Sequence, residues 1–552
     1  MTHPAGGSPP RAAARRERPL RERATRVALP LACGLLAALF LGRHLGGEDA
    51  PVLDERVVVG TTEEIAAVDP AAGGGPGSAV LLDNVFQSLL AFPPGRTEPQ
   101  PDAAEKCGFT DRVSRRFTCT LRDDLTFTSG ERLTAAAVKF SFDRTLRIEA
   151  PGGPAALLSS IDRIETPDEE TVTFHLGRPD ATFPQKIASA AGAIVDPGAY
   201  PADALRTDGG ATGSGPYRLE RLTRDEAVLS LNTDYRGPAV ARNTGVTLRL
   251  FHGDRAALRA ALAAGEVHVA RGLGSADLAG LAVLEPPAAA GGGGPKTVDG
   301  TGAAALHLAF NLDDPVAGRP GVRRAVAHLV DRAALIEDVR PRTAEPLYSV
   351  VPAGIPGHTP SFLDAYGDEP RRDRAEAALR EAGITEPVAL TLWITPDRHG
   401  PETEAAFEHL AARLNASGLF DAQVTSVAAD TFERGVADGS FGAFAHGRAP
   451  QYPDADAYTV PYFGTGGLLT GGYAAPRVTE ELIPRTERQG DRGATAEDFA
   501  ALQDIVAEDL PLIPLWQTRQ YAVAGENVTG LPWALDRTDV FRLWEIARTP
   551  QD

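Results

Sequence analysis

The chain has 552 residues, with 55 basic against 74 acidic side chains, a formal net charge of −19, and 43% hydrophobic and 23% charged residues. That length exceeds what one hydrophobic core supports, so two or more lobes are expected, in a composition ordinary for a globular protein in water. A surface this acidic repels nucleic acid and anionic membrane, which argues against a DNA- or RNA-binding role.

The N-terminus departs from that balance. Seven arginines between Arg11 and Arg26, against Glu17 and Glu22, give the leader about +5 and leave the remainder near −24. An apolar run, "VALPLACGLLAALFLG", follows from Val27 to Gly42. A basic flank before such a run reads as an export signal or a signal anchor. It places everything after Gly42 on the extracytoplasmic face, with membrane contact only through this segment. No A-x-A site follows it, and Cys33 lies too early in the run for a lipidated cysteine. Cleavage, lipidation and retention stay open.

Further along, "RVVVGTTEEIAAVDP" predicts a strand over Val57–Val59 and a turn. "SAVLLDNVFQSLLAF" has helical spacing and stops at Pro93-Pro94. "RRFTCTLRDDLTFTSG" alternates as two half-buried strands, and "LTAAAVKFSFDRTL" predicts a helix capped by Thr134. "IDRIETPDEETVTFHLGRP" is a hairpin around Pro167-Asp168. Between Gly213 and Pro238, "GSGPYRLERLTRDEAVLSLNTDYRGP" is a Gly/Pro corner followed by a second hairpin. Strand "GVTLRLF" and helix "GDRAALRAALAAGEVHVA" lead to a Pro/Gly loop, "LEPPAAAGGGGPKTVDG". Strand "ALHLAFNL", helix "GVRRAVAHLVDRAALIEDV", helix "RRDRAEAALREAGI", strand "VALTLWIT" and helix "PETEAAFEHLAARLNASG" follow. The last third ends in a helix stopped by Pro511 and a strand. Strands alternating with helices indicate α/β lobes.

Catalytic patterns are missing. "GGGGPKT" lacks the glycines of a phosphate loop, because Ala290 and Pro295 occupy those positions. There is no H-E-x-x-H and no G-x-S-x-G. No catalytic residue, metal site or cofactor is expected, and the chain is read as not an enzyme. Asp454 and Asp456 form the carboxylate pair of "GRAPQYPDADAY", beside His446. Cys107 and Cys119 flank "GFTDRVSRRFT". Outside the cell they can oxidise to a disulfide, with two free thiols as the alternative; the spacing is poor for zinc.

Several segments in order resemble the family 5 extracellular solute-binding proteins of ABC transporters, the oligopeptide-, dipeptide- and nickel-binding group. They are "VGTTEEIAAVDP", "NVFQSLLAF", "LRDDLTFTSGERLTAAAVKFSFDR" with Asp124 where glycine is commoner, "GSGPYRL", "LAFNLDDP" with "GVRRAVAHLVDRAALI", and "LPLIPLW". The resemblance implies an α/β, two-lobed class II periplasmic-binding-protein fold with an inserted subdomain. It divides the chain into a leader and linker at 1–51, lobe I at 52–82, 205–303 and 515–552, an inserted subdomain at 83–204, and lobe II at 304–514. It implies a monomer that holds a peptide or peptide-like solute between its lobes and delivers it to ABC permease subunits. An anchored ligand sensor and, less well supported, a peptide hydrolase are the alternatives.

The resemblance also names ligand-binding candidates and a departure. Peptide-binding members carry "GW..DY", whose aspartate holds the ligand ammonium; Arg448 stands here at the tryptophan, Gln451 at the aspartate, and Tyr452 is kept. Gln451 supplies neutral hydrogen bonds only, so a free amino group gains little from it. Asp454 or Asp456 restores the charge only if the loop turns one inward. Arg448 favours an anionic group. Tyr217, in the Gly-Pro-Tyr corner, is the candidate from lobe I.

Overall fold

The computed structural model describes residues 56–282, 295–400, 402–469, 473–538 and 540–549. The leader, Cys33 and the apolar run to Gly42, together with most of the Pro/Gly loop, lie outside the described residues. Among the described residues no helix is long and apolar enough to cross a membrane.

The elements that position the site are these, in chain order. Strand β1 (Val57–Thr61) is followed by helix α1 (Gly75–Val85). Strands β2 (Ala104–Phe109) and β3 (Arg116–Leu121), helix α2 (Ala135–Ile148), and strands β4 (Ile161–Glu165) and β5 (Thr171–Leu176) form an insertion. Strands β6 (Tyr217–Leu222), β7 (Glu226–Leu231) and β8 (Gly245–Leu250), helix α3 (Arg255–Ala263) and strand β9 (Val269–Arg271) return to the first lobe. Strand β10 (Lys296–Phe310) leads to helices α4 (Pro320–Leu329) and α5 (Arg332–Val339) and strand β11 (Val388–Ile394). Helix α6 (Glu402–Ala416), strands β12 (Phe420–Ser426) and β13 (Ala443–Arg448), helices α7 (Asp456–Phe463) and α8 (Ala496–Asp509), and strand β14 (Leu512–Ala524) follow.

One eleven-stranded sheet runs through both lobes in the order β12-β11-β13-β10-β14-β9-β1-β8-β7-β6, with the short strand Ala344–Pro346 on β14. Each lobe has its own parallel centre. β1 lies parallel to β8 and β9, and β11 lies parallel to β12 and β13. Parallel strands need cover on both faces, which is why β1 reads as a β-branched run with Val57 and Val59 buried. The centres are joined by the two longest strands, β10 and β14, paired antiparallel. Lys296–Thr301 pairs with Arg519–Ala524, and Ala305–Ala309 with Leu512–Gln517, with a register shift between. At that shift Gly302 sits so close to β14 that a Cβ would meet the Thr518 carbonyl oxygen at 2.4 Å.

The insertion carries a separate four-stranded sheet, β2-β3-β5-β4. Cys107 and Cys119 are directly opposed across β2 and β3 and form a disulfide, S–S 2.01 Å. The first lobe has its own apolar cluster, around Val57, Leu81, Val85, Leu229, Val246 and Phe541. The inserted sheet and the second lobe share another. They also meet through the Ala181 N–H, which donates to Glu487 O at 2.8 Å, and the Ser114 hydroxyl, which donates to Arg488 O at 3.1 Å.

Three segments that carry the family resemblance, or adjoin it, hold long-range staples. Asp69 of "AVDP" takes both terminal nitrogens of Arg144 from α2, at 2.8 and 2.5 Å, with both side chains buried. Asn84 of "DNVFQ" donates to Phe541 O at 2.8 Å and accepts from the Leu543 N–H at 3.0 Å. Arg332 of "LVDRAAL" donates Nε to Leu347 O at 2.9 Å and Pro514 O at 2.8 Å, tying α5 to β14.

Four local expectations are corrected. Leu125–Phe127 is no strand; it makes one isolated bridge, Thr126 to Arg132, after a turn in which Asp124 has φ 56°. The expected helix over 321–339 is two, because Asp331 breaks it and caps α5 by accepting from the Ala334 N–H at 3.0 Å. Lys296–Gly300, read as loop, is strand because β14 supplies its hydrogen-bond partners. Thr134 occupies the cap position of α2, but its side chain makes no capping bond.

Candidate functional site

A cavity of ≈ 520 Å³ opens between the lobes. Its first wall comes from Glu63 after β1, Gly73–Pro76 at the start of α1, Arg271 and Gly272 at the end of β9, and Arg519–Tyr521 on β14. Its second wall is Ala449–Gln451, the segment leaving β13. An adjoining cavity of ≈ 560 Å³ on the second lobe is lined by Arg340, Arg398, His399, His446, Arg448 and Trp516, among others. The crossing strands line both cavities, Arg519–Tyr521 the first and Ala304–Leu306 with Trp516 and Thr518 the second.

The candidate residues do not all gather there. Arg448 lines the second cavity, its Nε donating to Ala457 O at 2.7 Å. Gln451 is exposed on the wall of the first. Tyr452 is buried beside them with Lys186 Nζ 5.9 Å from its ring centre, and burial pushes its phenol well above the usual range.

Asp454 and Asp456 do not line either cavity. Arg492 donates Nε and Nη2 to Asp454 at 2.8 and 2.6 Å, and Nη2 also to Asp456 at 2.9 Å. The Thr486 hydroxyl completes Asp456 at 2.7 Å. Burial works against the Arg492 charge, but the two carboxylates outweigh it and hold its pKa above the usual range. Buried carboxylates collect such partners because an unpaired charge there is costly. The loop therefore turns both aspartates toward Arg492 in the second lobe, away from both cavities.

Tyr217 is likewise placed in the first-lobe core. It is fully buried, and its hydroxyl donates to Asn243 Oδ1 at 2.9 Å. The corner it belongs to holds the end of α1: the Gly215 N–H donates to Val85 O at 2.8 Å, and a Cβ on Gly213 would lie 2.2 Å from that oxygen. Close approach of backbone, rather than a ligand, requires these glycines.

His446, His307 and His399 form a neutral cluster on the second lobe. His307 and His446 are cross-strand partners, Tyr462 Oη lies 3.0 Å from His307 Nδ1, and the Gly447 N–H donates to His399 Nε2 at 3.1 Å. Burial lowers His307 and His399 to about 4, and burial with the neighbouring cations lowers His446 to about 3. Rings held neutral are hydrogen-bonding groups at neutral pH. Among the described residues no cluster of metal-ligating side chains occurs.

Sequence reading missed the arginines of the cleft. Arg340 pairs with Glu402 at 3.0 Å, Arg398 with Glu433 at 2.6 Å, and Arg519 with Glu345 at 2.6 Å and Asp299 at 2.7 Å. Lone arginines give no local signal; only the fold brings Arg340 and Arg398 to the second cavity and Arg519 to the first.

Comparison with known proteins agrees with this architecture. A probable D,D-dipeptide-binding periplasmic protein, DdpA, of Escherichia coli (strain K12) is 23% identical over 517 residues, covering 90% of this chain and 95% of the relative. The glutathione-binding protein GsiB of Shigella dysenteriae serotype 1 (strain Sd197) is 22% identical over 522 residues, covering 92% and 96%. The solved structure of HbpA2 from Haemophilus parasuis superposes with TM-score 0.77 at 19% identity, covering 90% of this chain and 100% of that one. The profile described as bacterial extracellular solute-binding proteins, family 5 (middle), matches residues 98–469. With more than half of its length matched and both lobes in place, the chain belongs to the bacterial extracellular solute-binding proteins, family 5.

Proposed function

We propose that this chain is the extracytoplasmic receptor of an ABC importer, taking a peptide or peptide-like solute into the interlobe cavity and presenting it to membrane permease subunits. The observation that carries the reading is the cavity itself, ≈ 520 Å³ and walled by two lobes between which the chain passes on the paired strands β10 and β14. A volume of that order suits a small ligand, and paired crossings suit hinge closure. The names of relatives point the same way, since DdpA is a probable dipeptide-binding and GsiB a glutathione-binding protein. The proposed lobe boundaries at 303/304 and 514/515 fall at or near the register shift of the crossing strands. In this reading the protein is a monomer, tethered or exported through its N-terminal segment, and performs no chemistry on its ligand. Gln451 and Arg448 contact the ligand from the second lobe, with Tyr452 as their support.

The test is binding with a readout of shape. Calorimetry against dipeptides and tripeptides should find saturable binding, and X-ray scattering at saturation should show a smaller radius of gyration. Binding with an unchanged radius would remove the hinge mechanism, and no binding to any peptide would remove the ligand class.

A further inference from the structure

Charge pairing in the cleft is incomplete, and the two unpaired groups on its first wall have opposite signs. Arg271 ends β9 and lies over Phe541, with its guanidinium carbon 4.2 Å from the ring centre. It has no carboxylate partner among the described residues, and its Nη1 is buried without an acceptor. Glu63 lines the same cavity, and its Oε2 is buried without a donor. Among the described residues the two form no ion pair with each other, although Arg340, Arg398 and Arg519 all hold carboxylates. Partly buried charges left unpaired are unfavourable, and a molecule with opposite charges at two ends relieves both. Within this cavity the second lobe contributes no charged side chain, and its Arg448 lines the adjoining cavity. Its loop offers the neutral Gln451, while Arg492 occupies Asp454 and Asp456.

We propose that a zwitterionic solute is read at both charged ends by the first lobe, its cation by Glu63 and its anion by Arg271 on the Phe541 face. Gln451 then closes over it with neutral hydrogen bonds. This rests on the peptide-like reading of the cavity, and it assigns the charge recognition to residues outside the loop that sequence comparison singled out. It also sets an order of events: the open first lobe captures the ligand, and closure adds neutral contacts.

Calorimetry with Ala-Ala, N-acetyl-Ala-Ala and Ala-Ala-amide, on wild type and on Glu63→Gln and Arg271→Gln, decides it. Charge-assisted bonds are about twice as strong as neutral ones, which corresponds to about tenfold in affinity for each end. Glu63→Gln should lose about tenfold for Ala-Ala and Ala-Ala-amide and nothing for N-acetyl-Ala-Ala. Arg271→Gln should lose about tenfold for Ala-Ala and N-acetyl-Ala-Ala and nothing for the amide. The probe each variant still binds shows that it is folded. Equal losses on all three probes, or none, overturn the proposal while leaving the peptide reading intact. If wild type binds none of the three, the peptide reading fails, and δ-aminovalerate, a zwitterion without a peptide bond, becomes the probe. Binding of δ-aminovalerate that both variants weaken sustains the charge assignment; absent or unaffected binding overturns it.

Discussion

Arg492 sits 38 residues from Asp454 in sequence and within 2.6 Å of it in the fold. That contact decides what the acidic loop does. Two carboxylates and one guanidinium, all nearly inaccessible to water, form a structural clamp. Replacing Arg492 with leucine leaves both aspartates buried without their cation, so unfolding in urea should reveal a loss of about 3–5 kcal/mol. Asp454→Asn should change the affinity for Ala-Ala less than twofold, because the carboxylate does not line the cavity. A tenfold loss would show that the loop opens to the ligand after all. Tyr217 carries the same lesson: its position in a named motif was legible, but its hydroxyl serves Asn243, which in turn holds Leu543 O and Ile546 O at 2.8 Å each. Residue type and motif membership are readable from sequence; the partner, set by the chain folding back, is not.

The elements that matter most for function are β10 and β14, which carry the chain between lobes. Alternation and length predicted strands near both, but the first five residues of β10, Lys296–Gly300, lie in a Gly/Pro-rich stretch that reads as loop until β14 pairs with it. Gly302 shows how tightly the crossing is built. Gly302→Val should push the strands apart against the Thr518 carbonyl, 2.4 Å from the added Cβ. We expect a loss of about 1–3 kcal/mol in denaturant unfolding, as for other overpacked sites. The same variant should show a smaller ligand-induced change in radius of gyration than wild type. An unaltered radius change would place the hinge elsewhere. The break at Asp331 between α4 and α5 was missed for a different reason: periodicity continues across it, and only the Asp331 cap on the Ala334 N–H marks the restart.

At the scale of the molecule, stability should fall on the acid side of neutrality. His307 is fully buried with its pKa lowered to about 4, against an unfolded value near 6.5. The unfolded chain binds the proton first, so the histidine's contribution is complete above pH 6.5 and is lost as pH falls toward 4, at about 1.4 kcal/mol per pH unit. His399 and His446 act in the same direction. Asp102, raised to about 6 by burial despite bonds from Gln87 and Tyr235, and Asp456, raised to about 7 by burial despite Arg492, oppose the three histidines, because the folded state takes their protons first. Calorimetric melting at pH 7 and pH 5 should therefore show a lower Tm at pH 5. A His307→Gln variant should lose less between the two than wild type, and an identical loss would show that the imidazole is not the source.

The sequence by itself set a lower bound of two lobes, the α/β class and the negative net charge, and its ordered motifs pointed to the family and through it to a two-lobed fold with an insertion, because length, periodicity and ordered motifs are local or nearly local properties. It also placed Cys107 and Cys119 close enough in the chain to be tested as a pair. Only the tertiary structure decided which side chains face the cavity. Glu63, Arg271, Gln451 and Arg519 come from four separate segments of the chain, and a sheet whose strand order departs from chain order brings them to one opening. The orientation of Asp454 and Asp456 was settled the same way. Desolvation penalises a charge according to everything packed around it, and that surrounding exists only once both lobes have folded.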